Sequence, residues 1–207
     1  SDKLLEKLEK FLGLSKMGKK ISNAERGFTL VELVVTISIF VVVSTLVFAN
    51  YPKFKSQLSL KKTSQEIAFD VREAQVYSLS VKSYDNNFNI GYGVHFDKNK
   101  SSNVILFADV DNSKEYNNGD KIVKEYAIQT NISIISLCGN ENNPPTSCEL
   151  SKLNAVYLRP NPIINLSGRS GDDSLVSNLS DIEIIISSSG EITKKIIIWV
   201  SGQITIE

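Results

Sequence analysis

The chain has 207 residues, 42% of them apolar, and carries 23 basic and 23 acidic side chains. That length accommodates one ordinary folded domain plus an additional element, with little room for a second full domain. The balanced charge removes the basic excess that marks many nucleic-acid binders. A mean hydropathy of -0.07 excludes a polytopic membrane protein.

Residues 1–16 place Leu4, Leu5, Leu8, Phe11 and Leu12 at helical spacing. They read as an amphipathic cytoplasmic helix, as an upstream start, or as an added segment ahead of Met17, the single methionine. From Phe28 to Ala49 the chain then reads FTLVELVVTISIFVVVSTLVFA. A helix of about 22 apolar residues crosses the hydrocarbon core of a bilayer. Lys16, Lys19, Lys20 and Arg26 precede it. Such a basic flank stays on the cytoplasmic side, which sends the C-terminal part outward. Glu32 is the one residue at odds with a plain anchor, because a carboxylate in lipid costs free energy. By itself it reads as an interfacial group reached by snorkelling.

The hexapeptide Gly27-Phe28-Thr29-Leu30-Val31-Glu32, between a basic leader and an apolar run, resembles the prepilin-peptidase site of type IV pilins and type II secretion pseudopilins. The resemblance implies cleavage after Gly27, N-methylation of the new N-terminal Phe28, and pairing of Glu32 with the Phe28 ammonium of a neighbouring subunit. Its implied partners are a prepilin peptidase/N-methyltransferase, other pilins or pseudopilins, and a membrane assembly platform. Physical chemistry is compatible with each role. A glycine lets the backbone lie extended in a protease cleft, and a charge in an apolar bundle is tolerated when paired.

Pro52 follows the anchor as a candidate kink. Leu60, Ile67, Val71 and Ala74 then recur at helical intervals, with Lys61, Lys62, Gln65, Glu66, Arg72 and Glu73 on other faces. The spacing predicts an amphipathic helix to Val81. Together with the anchor it would run roughly 80 Å from Phe28, with an apolar stripe that needs a sheet to cover it.

After Tyr84 the texture becomes short β-rich runs punctuated by Asn, Asp, Ser and Gly. Strands are expected near 91–96, 104–109, 121–127, 132–137, 155–159, 182–187, 194–200 and 203–206. Ser187 to Gly190 and Ser201-Gly202 read as hairpin turns, and GRSG at Gly168–Gly171 as a turn. The fold class is therefore α+β: a long N-terminal helix, membrane-spanning then amphipathic, packed on antiparallel β-sheets, as in pilins. The expected parts are a leader over 1–27, an anchor over 28–50, an amphipathic helix over 51–82, and an extracytoplasmic β-rich domain over 83–207. Ala74-Gln75, GYGVHF, VILFADVDNSKEYNNGD and the closing VSGQITI resemble the GspH/FimT branch of minor pseudopilins.

Two features of the β-rich part bear on sites. Asp109, Asp111, Ser113, Asn117 and Asp120 fall at positions 1, 3, 5, 9 and 12 of a loop, with the Glu115 carbonyl between them. That is the oxygen spacing of an EF-hand calcium site. Lys114 stands where glycine is usual and no helices flank the loop, so a plain solvated hairpin loop competes with calcium binding. Cys138 and Cys148 enclose the polar stretch CGNENNPPTSC. No CxxC pair exists, and His95, the single histidine, cannot complete a zinc set with them. A disulfide closing a surface loop is the expectation, which requires an oxidising compartment.

The sequence contains no GxSxG, Walker or GxGxxG signature, and His95, between Val94 and Phe96, reads as structural or exposed. A non-enzymatic subunit of a secretion pseudopilus or pilus-like filament is the leading expectation, held in a bacterial inner membrane by a single pass. A competence pilin that binds DNA is the alternative. The matching stretch of FimT-like DNA-uptake pilins carries basic residues near a glycine, whereas Gly202-Gln203-Ile204-Thr205 has none.

Overall fold

The computed structural model describes residues 27–80, 90–140, 147–158, 164–188 and 192–207. The leader expected over 1–27 lies outside these residues except for Gly27, as do Arg159 and the tip of the Ser187–Gly190 turn. Helix α1 covers Leu30–Leu79. The residues form two units, one up to Val47 and one from Phe48.

Thr29 starts α1. Its Oγ1 accepts the Glu32 N–H at 3.2 Å, and its carbonyl accepts the Leu33 N–H at 3.1 Å. An N-cap threonine three residues before a glutamate is the sequence form of a capping box. Within the first unit the helix is apolar on all faces and almost wholly exposed, with Phe28 at 79% and Phe40 at 77%. Three of its hydroxyls bond back to the helix: Thr36 donates to Leu33 O, Ser38 to Val34 O and Thr45 to Val41 O. Such back-bonding gives these hydroxyl protons acceptors within the helix, which suits an apolar surrounding. Pro52 lies inside the helix.

In the second unit α1 buries Leu60, Ile67, Val71 and Ala74, the stripe its periodicity predicts. The β-rich part supplies the cover. Strands β1 (Gly91–Asp97), β2 (Asn103–Asp109), β3 (Lys121–Ala127), β5 (Leu150–Tyr157), β6 (Ile164–Ser170) and β7 (Leu175–Ser177) form one sheet in the order β3-β2-β1-β5-β6-β7. Strands β4 (Ile132–Asn140), β8 (Asp181–Ser188), β9 (Ile192–Trp199) and β10 (Ile204–Ile206) form a second, in the order β10-β9-β8-β4. All paired neighbours are antiparallel.

Period-two alternation explains the layering. Tyr92, Val94 and Phe96 of β1, with Val104, Leu106 and Ala108 of β2, join the helix stripe in one core. Ile182, Ile184 and Ile186 of β8 and Ile196 and Ile198 of β9 belong to the same core. In β4 the buried apolar residues Ile134 and Leu137 are three apart, which breaks alternation. A register shift between Ile134 and Ser136 accommodates the extra residue, the signature of a bulge. On the opposite face of the larger sheet, Ile105, Phe107 and Val156 form a smaller cluster with Tyr116 and Leu158. Gly93 permits it: a Cβ there would lie 2.8 Å from Phe107 Cζ and 2.9 Å from Val156 Cγ2.

Strands β6 and β7 were not expected at all. Gly168, Arg169 and Ser170 are the end of β6, so GRSG is strand before it is turn. The fifth strand begins at Leu150, five residues ahead of its expected start. The helix ends at Leu79.

Candidate functional site

The N-terminal motif is built by the helix cap. A Cβ added at Gly27 would meet no atom within 4 Å among the described residues, and Gly27 is exposed. Phe28 is exposed beside it, and Glu32 sits exposed in the first turn of α1. Gly27, Phe28 and Glu32 thus stand together at one helix start.

The second candidate is the loop from Asp109 to Asp120, which joins β2 to β3. Carboxylate oxygens of Asp109, Asp111 and Asp120 lie within 4.8 Å of one another. Such hard oxygen donors suit a calcium-type cation. They are also held by the loop itself. Asp109 accepts N–H bonds from Ser113 and Lys114, and Asp120 accepts from Val110 and Asn117. Asn117 Nδ2 sits at the centre, donating to Asp111 Oδ2 at 2.9 Å, Ser113 Oγ at 2.8 Å and the Glu115 carbonyl at 3.4 Å. These three acceptors occupy positions 3, 5 and 7 of the calcium spacing. The Asn117 amide would have to turn its oxygen inward for a cation bound by these acceptors to take the place of Nδ2.

Backbone conformation resolves the missing glycine. Lys114 adopts φ 66° and Asn112 φ 57°, the left-handed region that normally selects glycine, and the Lys114 side chain is exposed. Burial dominates the electrostatics. Asp109 is 1% exposed, and desolvation pushes its carboxyl up to about 6, against N–H bonds from Lys114 and Ser113 that pull it down. Asp120 is raised by the same cause. Exposed Asp111 is lowered, chiefly by the Asn117 and Ser113 side-chain hydrogen bonds.

The loop is tied to the outer face of the larger sheet. Glu115 accepts Arg169 Nε at 2.8 Å, and the Tyr116 N–H donates to Asn154 Oδ1 at 3.3 Å. The Tyr116 ring packs against His95 and Phe107. His95 is buried, not a surface histidine, and its Nδ1 lies 2.7 Å from Asn154 Oδ1. Asn154, the partner of His95, and Arg169 carry no signal in the sequence; strand register brings them to one face. The alternation around His95 was visible, but not its neighbours across β5 and β6.

Cys138 and Cys148 are disulfide-bonded. Cys138 is buried and Cys148 exposed, and an isolated bridge between Gly139 and Ser147 closes the same segment.

No curated protein and no protein of solved structure gives a significant match to the chain. Residues 22–48 match the family model described as the prokaryotic N-terminal methylation motif, and they contain Gly27, Phe28, Glu32 and the exposed apolar part of α1. The N-terminal segment of this chain therefore carries a prokaryotic N-terminal methylation motif, set on a helix long and apolar enough to cross a membrane.

Proposed function

We propose that the chain is the precursor of a type IV pilin-like structural subunit, and specifically a minor pseudopilin of the GspH/FimT kind. A prepilin peptidase cuts after Gly27 and methylates Phe28. Glu32 then pairs with the Phe28 ammonium of a neighbouring subunit as the apolar helix leaves the inner membrane for a helical bundle. The observation that carries this reading is the methylation motif lying on a capped helix whose apolar surface is bare. In lipid that surface is solvated by acyl chains, and in a bundle by equally apolar neighbours, so transfer costs little net free energy. The β-rich unit, with its disulfide, faces an oxidising compartment outside the cytoplasm.

A face of α1 in the second unit supports the same reading. Phe54, Leu58, Phe69 and Val76 are exposed. At about 100° per residue they fall opposite the stripe that covers the sheet. A subunit working alone gains nothing from that second stripe, and a subunit among other helices buries it.

The role is mechanical. The DNA-uptake alternative gains no support from the closing hairpin, where Lys195 is occupied by Glu183 and Glu207. Asp109, Asp111, Ser113, Asn117 and Asp120 remain candidate calcium donors, and a melting temperature indifferent to calcium and chelator would remove them.

The test is the mature N-terminus at native expression. Mass spectrometry is expected to find a chain beginning at N-methylated Phe28, with other pilins or pseudopilins co-purifying. An uncleaved chain at native levels would refute the filament reading. Gly27→Leu is expected to leave the precursor intact and uncut in membranes.

A further inference from the structure

The outer face of the larger sheet carries a cavity of about 500 Å³, within the usual size of small-molecule sites, about 300–1,000 Å³. Its floor is set by register. His95 lies between Ile105 and Asn154, Asn154 opposite Ser167, and Lys152 opposite both Asp97 and Arg169. The loop from Ser113 to Asn118 forms one wall.

The hydrogen bonding fixes which His95 nitrogen faces a ligand. A backbone N–H can only donate, so the bond from Tyr116 identifies the Asn154 atom as the oxygen. That oxygen also lies 2.7 Å from His95 Nδ1. Nδ1 therefore carries the proton, and Nε2 is left with its lone pair. His95 is 5% exposed and lines the cavity. Among the described residues its Nε2 has no hydrogen-bond partner. Burial lowers the pKa of the ring and keeps it neutral.

The charges around this acceptor cancel. Lys100, Lys152 and Arg169 line the cavity with Asp97, Glu115 and Asp173. Glu115 is engaged by Arg169 and Asp173 by both Arg169 and Lys152, the latter at 3.8 Å, while the Lys100 ammonium has no ion pair among the described residues. An apolar ligand would strip water from these charges without replacing its hydrogen bonds. An anion would meet as many carboxylates as cations. A hydroxyl both donates and accepts, so a single kind of neutral group serves His95 Nε2, the ammoniums and Asp97 alike. We propose that this cavity binds a polyhydroxylated, carbohydrate-class ligand, one hydroxyl donating to His95 Nε2 and others accepting from Lys100 and Lys152. This goes beyond the filament reading and does not depend on it.

The single histidine makes the test direct. The full chain, labelled with ¹⁵N-histidine and held in lauryldimethylamine oxide micelles to avoid glycoside detergents, gives one imidazole signal set. Neutral oligosaccharides of glucose, galactose, mannose and N-acetylglucosamine are titrated to millimolar concentration, with glutamate and inorganic phosphate as charged probes. The expected result is an Nδ1–H tautomer in the free protein and a saturable shift of Nε2 with at least one saccharide. Lys152→Ala is expected to weaken that binding about tenfold. An Nε2–H tautomer overturns the proposal. So do the absence of a saturable shift with every saccharide, a response to glutamate or phosphate alone, and undiminished binding by a folded Lys152→Ala variant.

Discussion

The burial of His95 makes the folded chain sensitive to acid. Desolvation holds its pKa below the ordinary 6.5, and the Asn154 hydrogen bond and Asp97 only partly offset that effect. Lys152 and Lys100 lower it further. A histidine depressed on folding stabilises the protein fully above its unfolded pKa and loses that contribution as pH falls below 6.5. The buried carboxyls Asp70, Asp109 and Asp120 are shifted up and act in the opposite direction, so the contribution must be read as a difference. Wild type is expected to lose melting temperature relative to His95→Gln as pH falls from 7 to 5, as measured by circular dichroism on both proteins. Parallel curves would mean that the imidazole is not desolvated. Asn117 is the corresponding residue of the loop. Its removal strands acceptors on Asp111, Ser113 and Glu115, and Asn117→Ala is expected to cost about 1 kcal/mol by denaturant unfolding.

Between elements, an ion pair joins α1 to the edge strand β3. Asp70 is buried, and Lys124 Nζ lies 2.5 Å from Asp70 Oδ1 and 3.1 Å from Glu73 Oε2. The second Asp70 oxygen has no hydrogen bond. Desolvation raises the pKa of this carboxyl although the Lys124 hydrogen bond opposes it. Removing Lys124 leaves a buried carboxylate unpaired, which for a fully buried pair costs about 3–5 kcal/mol. Because the Lys124 side chain is 44% exposed, water screens the pair, and Lys124→Ala is expected to cost about 1–2 kcal/mol. The exposed Lys62–Glu66 pair on the same helix should be worth under about 0.5 kcal/mol. The Lys124→Ala penalty is expected to shrink as pH falls through the raised Asp70 pKa toward 3.8, because the variant then buries a neutral acid; a pH-independent penalty would refute that account. Much of this level was legible in advance. The helix stripe and most strands follow from periodicity and alternation. Strand β6 carries polar residues at alternate positions, Ser167 against Asn154 and Arg169 lining the polar cavity, so INLSGRS lacks the apolar alternation of a half-buried strand. The cavity was hidden for a related reason: His95 and Asn154 are 59 residues apart and meet only through register.

At the scale of the molecule the question is why one helix should carry two apolar surfaces. Ile67 is fully buried under the sheets, whereas Phe69 is 71% and Val76 57% exposed. Folding of the β-rich unit explains the first surface and not the second. If the exposed stripe serves assembly, the two surfaces respond to substitution in opposite ways. Ile67→Ala removes buried methylenes and opens a cavity, and should cost about 2–5 kcal/mol of stability. Phe69→Ser and Val76→Ser alter side chains that are already wetted, and should change stability by under about 0.5 kcal/mol each. The double Ser variant should nevertheless be processed at Gly27 yet depleted from filaments, because its helix loses the two large apolar side chains that a bundle would bury. The measurement is the ratio of filament-bound to membrane-bound chain, taken beside the unfolding free energy of the same variants. Normal filament incorporation of a stable, processed double variant would leave the outer stripe without a role in assembly. Loss of incorporation with unchanged stability would assign the two faces of α1 to two separate tasks, one holding the subunit together and the other joining it to its neighbours.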